Sequence, residues 1–88
     1  MMEVKIKKDE EREIEFEVIG EKTLLNPLKN KLLQYNEVEF VEWRVSHPLI
    51  SNPEFYLRVR KGKARDFLKK AIEELKSDFK ELLDQLEE

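Results

Sequence analysis

TLLNPLKNKLLQYNEVEFVEWRVSHPL, Thr23 to Leu49, contains the switch that decides the fold: a leucine-rich helical pattern gives way within two residues to strand-like alternation. Leu24, Leu25, Leu28, Leu32, Leu33 and Tyr35 recur at intervals of three and four, the spacing that lines one side of a helix, so the pattern predicts a helix over Thr23–Tyr35. Thr23 can cap it with Pro27 in the first turn, where N–H groups have no intrahelical acceptor to lose. Equally, Asn26 can be the cap and Pro27 the first helical residue. Asn36 stops the helix, and EVEFVEWRV then reads as a strand whose alternation slips. Val38 and Phe40 share one parity while Val41, Trp43 and Val45 share the other, which implies a bulge or burial on both faces.

Upstream, Val4 and Ile6 alternate with lysines, KDEE makes a polar turn, and Ile14, Phe16 and Val18 alternate with glutamates. That pattern predicts a hairpin with lysines set opposite glutamates on its outer face and the apolar residues turned to a shared core. Gly20 breaks its second strand. Downstream, SHPLISNP is a connecting loop, EFYLRVR is a strand with Phe55, Leu57 and Val59 inward, and Gly62 ends it. Ala64 to Glu88 contains no Gly or Pro and reads as one helix. The expected order is ββαββα: an α+β chain, residues 1–88 forming a single domain, with a four-stranded, largely antiparallel sheet backed by two helices.

Such a helix is ~37 Å long at 1.5 Å per residue, whereas strands of about eight residues reach only ~26 Å. It must overhang any sheet this chain can build. Yet its apolar residues run to the end: Leu68, Ile72, Leu75, Phe79, Leu82 and Leu86 are spaced as a heptad seam, and Phe67, Ala71 and Leu83 widen the stripe on both sides. At 100° per residue these positions span roughly 160°, more than one packing contact requires. The helix therefore has two neighbours: the chain's own sheet, and a partner covering the leucines and phenylalanine of its last turns, which would otherwise form an aggregation-prone patch.

Composition bounds the rest. The 88 residues are 40% apolar and 42% charged with a net charge of -3, so bulk electrostatics draws the chain neither to DNA nor to anionic lipid. The absence of cysteine excludes disulfides and thiolate chemistry, and the N-terminal segment has neither a signal peptide's apolar core nor a membrane span, so a cytoplasmic location is expected. The single histidine, His47, lies before Pro48 and reads as a loop-positioning residue; no acid is placed to orient it as a base for Ser46, Ser51 or Ser77. Two glycines cannot make a phosphate-cradling loop, one histidine gives no metal spacing, and paired glutamates such as Glu73 and Glu74 read as solvated helix surface. No cofactor, metal or catalytic residue is expected. RVRKGKAR, Arg58 to Arg65, is the one stretch able to attract phosphate, and it defines the rival reading of a stand-alone homodimeric nucleic-acid-binding module.

The run from Gly20 to Lys63, with its Thr-Leu-x-Asn opening and its strand leading into Val-x-His-Pro-Leu, followed by an amphipathic helix, resembles the subunit L family of archaeal DNA-directed RNA polymerase. That family is the counterpart of the small α-like eukaryotic subunits and of the dimerisation part of bacterial α. The resemblance implies the α-like dimerisation fold and a heterodimer with the larger, D-type α-like polymerase subunit, the platform on which the large catalytic subunits assemble for transcription. Nucleotidyl transfer would belong to the complex, and this chain would contact no nucleic acid directly. It also implies an interface on both helices: Leu24, Leu25, Asn26, Leu28, Asn30 and Leu32 on the first, and Leu68, Ile72, Leu75, Phe79, Leu82 and Leu86 on the last. Asn26 and Asn30 would supply polar contacts that fix register.

Overall fold

The computed structural model describes residues 3–20, 23–47 and 51–87. Along the chain these form β1 (Glu3–Asp9), β2 (Glu13–Ile19), α1 (Leu25–Leu32), β3 (Val38–Arg44), β4 (Glu54–Val59) and α2 (Ala64–Leu86). The strands make one sheet in the order β1-β2-β4-β3 with every neighbouring pair antiparallel. Both helices lie on one face of it, so the fold is the expected α+β arrangement. Pro48, Leu49 and Ile50 of the predicted loop, and Glu88 at the predicted end of the last helix, lie outside the described residues.

The hairpin follows the sign pattern of its charges, with Lys5 opposite Glu17 and, past a register shift between Ile6 and Lys8, Lys8 opposite Glu15. On β3 the slipped alternation is a bulge: Val38 pairs with Val59 but Phe40 pairs with Arg58, so Glu39 is the extra residue. That one insertion puts Val38, Val41 and Trp43 on the helix side. Phe40 is left on the opposite face, its ring 5.8 Å from that of Tyr56.

The core is built where β2 and β4 meet under the helices. Phe55 is fully inaccessible and stacks on Phe16 with ring centroids 5.1 Å apart; Ile14, Val18, Leu57 and Val59 surround the pair. From the helices come Leu25, Leu28 and Leu32 of α1 and Ala64, Leu68 and Ala71 of α2.

Helix α1 is shorter than the periodicity predicts at both ends. Its N-cap is Leu24 rather than Thr23 or Asn26, and no side chain caps it. The Asn26 side chain is turned away from the helix end, where its Oδ1 accepts a 3.0 Å hydrogen bond from Trp43 Nε1 on β3. Pro27 falls in the first turn, where its missing N–H costs nothing. After Leu32 the N–H groups of Gln34 and Tyr35 bond back only three residues, to Lys31 and Leu32, which tightens the chain into a turn before Tyr35. The Tyr35 ring instead packs 5.8 Å from Phe67 and lies beneath the Lys70 ammonium. Asn26→Ala removes the side-chain hydrogen bond that ties the start of α1 to β3. Because Trp43 is partly exposed and water can replace the acceptor, the expected loss is about 1 kcal/mol, a fall of about 4–8 °C in Tm by circular dichroism.

The turn into α2 depends on Gly62, which has φ +80° and has the Phe67 ring 3.0 Å from where a Cβ would stand. The helix start is then pinned by Ala64 N–H to Glu11 O at 2.8 Å and by an Arg65–Asp9 ion pair at 2.9 Å. Ala71 is the last buried residue of α2. Past it, Lys31 of α1 reaches Asp78 at 3.0 Å and Glu74 at 3.9 Å, tying the two helices together just before the exposed end of α2.

Two expectations are corrected. Val4 and Ile6 face the helix side, in register with Val18 and Phe16, yet are about half exposed rather than core: α2 packs on β2 and β4, and α1 on β3, so β1 is left uncovered. Leu33 is likewise exposed, because it keeps helical geometry, its N–H bonding Lys29 O at 3.0 Å, and so stands about 100° round the helix from the buried Leu32, off the sheet-facing side.

Candidate functional site: an apolar groove continued by a free helix end

The uncovered side of β1 forms a groove of about 230 Å³ between the hairpin and the helices. Its floor is Val4, Ile6, Phe16 and Val18; Leu24, Leu25 and Leu28 of α1 close one end, and Leu68, Ile72, Leu75, Lys76 and Phe79 of α2 form the wall. Lys76 is the only charged residue in that lining. Beyond the groove the same stripe of α2 continues as Leu82, Leu83 and Leu86, which are 53%, 53% and 73% exposed. Together the groove and the helix end make one continuous apolar surface far larger than the isolated apolar side chains an ordinary protein surface displays.

The structure thus brings together seven of the twelve residues implicated from the sequence: Leu24, Leu25, Leu28, Leu68, Ile72, Leu75 and Phe79. Leu82 and Leu86 extend the same surface outside the groove. Leu32 is fully inaccessible and acts by seating α1 on the sheet. Asn26 is engaged by Trp43, and Asn30 is exposed on α1. Sequence reasoning misses Val4, Ile6, Phe16, Val18 and Lys76 as groove residues. The alternation of Val4 and Ile6 is visible, but nothing in it shows that the helices stop short of β1.

The opposite sheet face is charged and internally paired. Glu13 accepts hydrogen bonds from Lys8, from the Tyr56 hydroxyl and from Arg58, the last at 3.1 Å, and these cations and the hydroxyl hold its carboxyl well below the usual range, at about 2. Lys7 pairs with Glu54 at 2.6 Å on the same face. A depressed carboxyl pKa contributes stability that is fully present above the ordinary value of 4.5 and is lost as the pH falls from there towards 2. Glu13→Gln should therefore flatten the acid limb of the thermal stability profile between pH 4.5 and 2. Melting curves at pH 7 and pH 3 check it: the gap in Tm between the two should shrink in the variant.

The basic stretch does not make an uninterrupted cationic surface. Arg58 is bound to Glu13, Arg65 to Asp9, and Arg60 to the Asn36 carbonyl at 3.3 Å. The open hollow of about 630 Å³ beside it is lined by Glu10, Glu11, Glu13 and Glu39 as well as by Arg12, Arg58 and Arg60. Among the described residues no helix is long and apolar enough to cross a membrane, and no cluster of acidic or histidine side chains could hold a metal ion.

Residues 13–85 match the RNA polymerase Rpb3/Rpb11 dimerisation domain family. The chain is 35% identical over 89 aligned positions to the DNA-directed RNA polymerase subunit Rpo11 of Methanothermobacter thermautotrophicus, covering 97% of this chain and 100% of that one. It is 32% identical to the Rpo11 of Thermoplasma acidophilum over 74 residues, which covers 83% of this chain and 67% of the relative. Among solved structures, the crystal structure of DNA-directed RNA polymerase subunit L from Thermoplasma acidophilum superposes with a TM-score of 0.87 at 28% identity, covering 99% of this chain and 87% of that one.

Proposed function

Because the chain belongs to the RNA polymerase Rpb3/Rpb11 dimerisation domain family and is a small polymerase subunit of that type, we propose that its groove and helix end bind a larger α-like subunit of the D type. The heterodimer then serves as the platform on which the large catalytic subunits assemble for DNA-templated transcription. This chain contributes shape and apolar surface to that assembly, while nucleotidyl transfer is carried out by the complex. The reading carries with it a cytoplasmic place of action, a chain that works as one dimerisation unit, and no direct hold on nucleic acid.

The observation that supports it most is the continuity of the groove with the exposed end of α2. A helix from an α-like partner can lie along Val4, Ile6, Leu24, Ile72 and Phe79, while Leu82 and Leu86 of this chain enter the equivalent groove on that partner. Such reciprocal burial covers both apolar surfaces at once, which a single contact could not do. Co-expression with the larger α-like polymerase subunit of the same organism tests the proposal. A 1:1 complex that survives purification and light scattering is the expected result; a chain that elutes apart from that subunit at its own mass of 10.7 kDa overturns it.

A further inference from the structure

Charge pairing on the outer face of the sheet, the face turned away from the groove, is incomplete in its middle. Glu13 takes Lys8 and Arg58, and Glu54 takes Lys7. In the row between them Tyr56 stands in register with Glu15 of β2 on one side and Glu42 of β3 on the other. Among the described residues neither of these carboxylates forms an ion pair, and nor does Glu39 at the bulge. Directly opposed side chains of an antiparallel sheet have Cβ atoms ~5 Å apart, so a carboxylate flanks the Tyr56 ring on each side. Phe40, turned outward by the bulge and 46% exposed, closes a corner: its ring is 5.8 Å from that of Tyr56 and inclined to it by 59°. The Tyr56 hydroxyl donates to Glu13, which holds the ring in place and enriches the electron density on its face. On either side of that ring is a hollow, one of about 330 Å³ beside Glu39 and Phe40 and one of about 250 Å³ beside Glu15 and Glu42.

Two inclined rings edged by uncompensated carboxylates form a receptor for a cation, because aromatic faces attract positive charge and the carboxylates add hydrogen-bond acceptors beside them. A guanidinium suits the corner better than an ammonium. Being planar, it lies flat on one ring while its N–H groups fork sideways to the carboxylates; an ammonium is a compact, strongly hydrated point charge. The chain's own arginines nearby are committed elsewhere, Arg58 to Glu13 and Arg60 to the Asn36 carbonyl, while Arg44 lies in the next row, opposite Glu54. The complementary charge therefore comes from outside the chain. We propose that the Phe40–Tyr56 corner is a second docking surface, one that receives an arginine-bearing segment of a further polymerase subunit.

The inference rests on the platform role and deepens it, by assigning a face and a chemistry to the contact made after the heterodimer has formed. The groove and the helix end lie on the other side of the sheet, so the corner stays open when an α-like subunit covers them.

Photo-crosslinking in the reconstituted polymerase tests it, with Phe40 replaced by p-benzoylphenylalanine and the attached peptide read by mass spectrometry. One segment containing arginine, from a subunit other than the α-like one, is the expected product. No product, a product with the α-like subunit, or a product with nucleic acid overturns the proposal. Glu39→Lys combined with Glu42→Lys, both at exposed positions, should leave the circular dichroism spectrum and the 1:1 heterodimer unchanged. The same pair should lower the affinity of the heterodimer for the crosslinked subunit at least tenfold at low salt, and changing the arginine nearest the crosslink to glutamate should restore it. A heterodimer that forms normally and is indifferent to both lysines overturns this inference alone. A chain that forms no 1:1 complex with the α-like subunit overturns the platform reading, and this inference with it.

Discussion

Phe79→Glu combined with Leu82→Glu is expected to leave the chain folded and to abolish co-purification with the proposed α-like partner. Phe79 is 47% exposed and Leu82 53%, so in the free chain both carboxylates stay in water and the core loses little. On docking they would be pressed against an apolar partner surface with no cation at hand. Burying an unpaired carboxylate costs several kcal/mol, and large side chains at the centre of an interface carry ~2 kcal/mol or more each. Two such changes weaken association by at least ~1,000-fold, since each 1.4 kcal/mol is a factor of ten. The readout is paired: pull-down of the tagged chain for binding, and thermal melting for the fold. Retained binding by a folded double variant would remove the groove and helix end as the interface. Leu75, partly buried against the core, is less suited to this test because its replacement disturbs both quantities at once.

Phe55→Ala is the complementary experiment, and it is expected to remove the fold rather than the surface. Phe55 is fully inaccessible on β4, stacked on Phe16, and faces both Phe16 and Trp43 across its strand. Truncating a phenylalanine in such a place costs about 3–5 kcal/mol, from lost transfer energy and from the cavity left behind. At about 0.05–0.15 kcal/mol per residue, a chain of 88 residues has a total stability of about 4–13 kcal/mol. The variant therefore loses a large share of its margin. Urea unfolding should show a midpoint lowered in proportion with little change in slope, and a midpoint within experimental scatter of the parent would contradict the assigned core. Set beside the first variant, it separates loss of partner binding by unfolding from loss by a spoiled interface.

Much of this organisation is legible without coordinates. The ββαββα order follows from where period-two and period-3.6 patterns begin and end, and Gly62 marks the last strand's stop because its backbone conformation disfavours any side chain. The overhang of α2 follows from length alone, since a 23-residue helix outreaches strands of six or seven. The parity slip at Val38–Phe40 announces an irregularity, but on sequence grounds a bulge and two-sided burial are equally open. Choosing between them requires knowing that β4 pairs with β3 and presents Arg58 to Phe40. The cap of α1 is hidden for a similar reason: local rules offer Thr23 or Asn26, and a tertiary partner, the Trp43 indole, takes the Asn26 side chain.

Periodicity is a property of one segment with respect to its own axis. The order of residues alone therefore dictates which side chains share a face, which elements form, and that α2 carries more apolar surface than its own chain can cover. Which faces meet is a matter for all segments packing together. That packing seats the helices over β2, β4 and β3 and leaves β1 bare, turning Val4 and Ile6 from expected core into the floor of a groove. The cause is placement: α1 leans on α2 and β3 while α2 rests on β2 and β4, so the hairpin's outer strand is the one that neither helix covers.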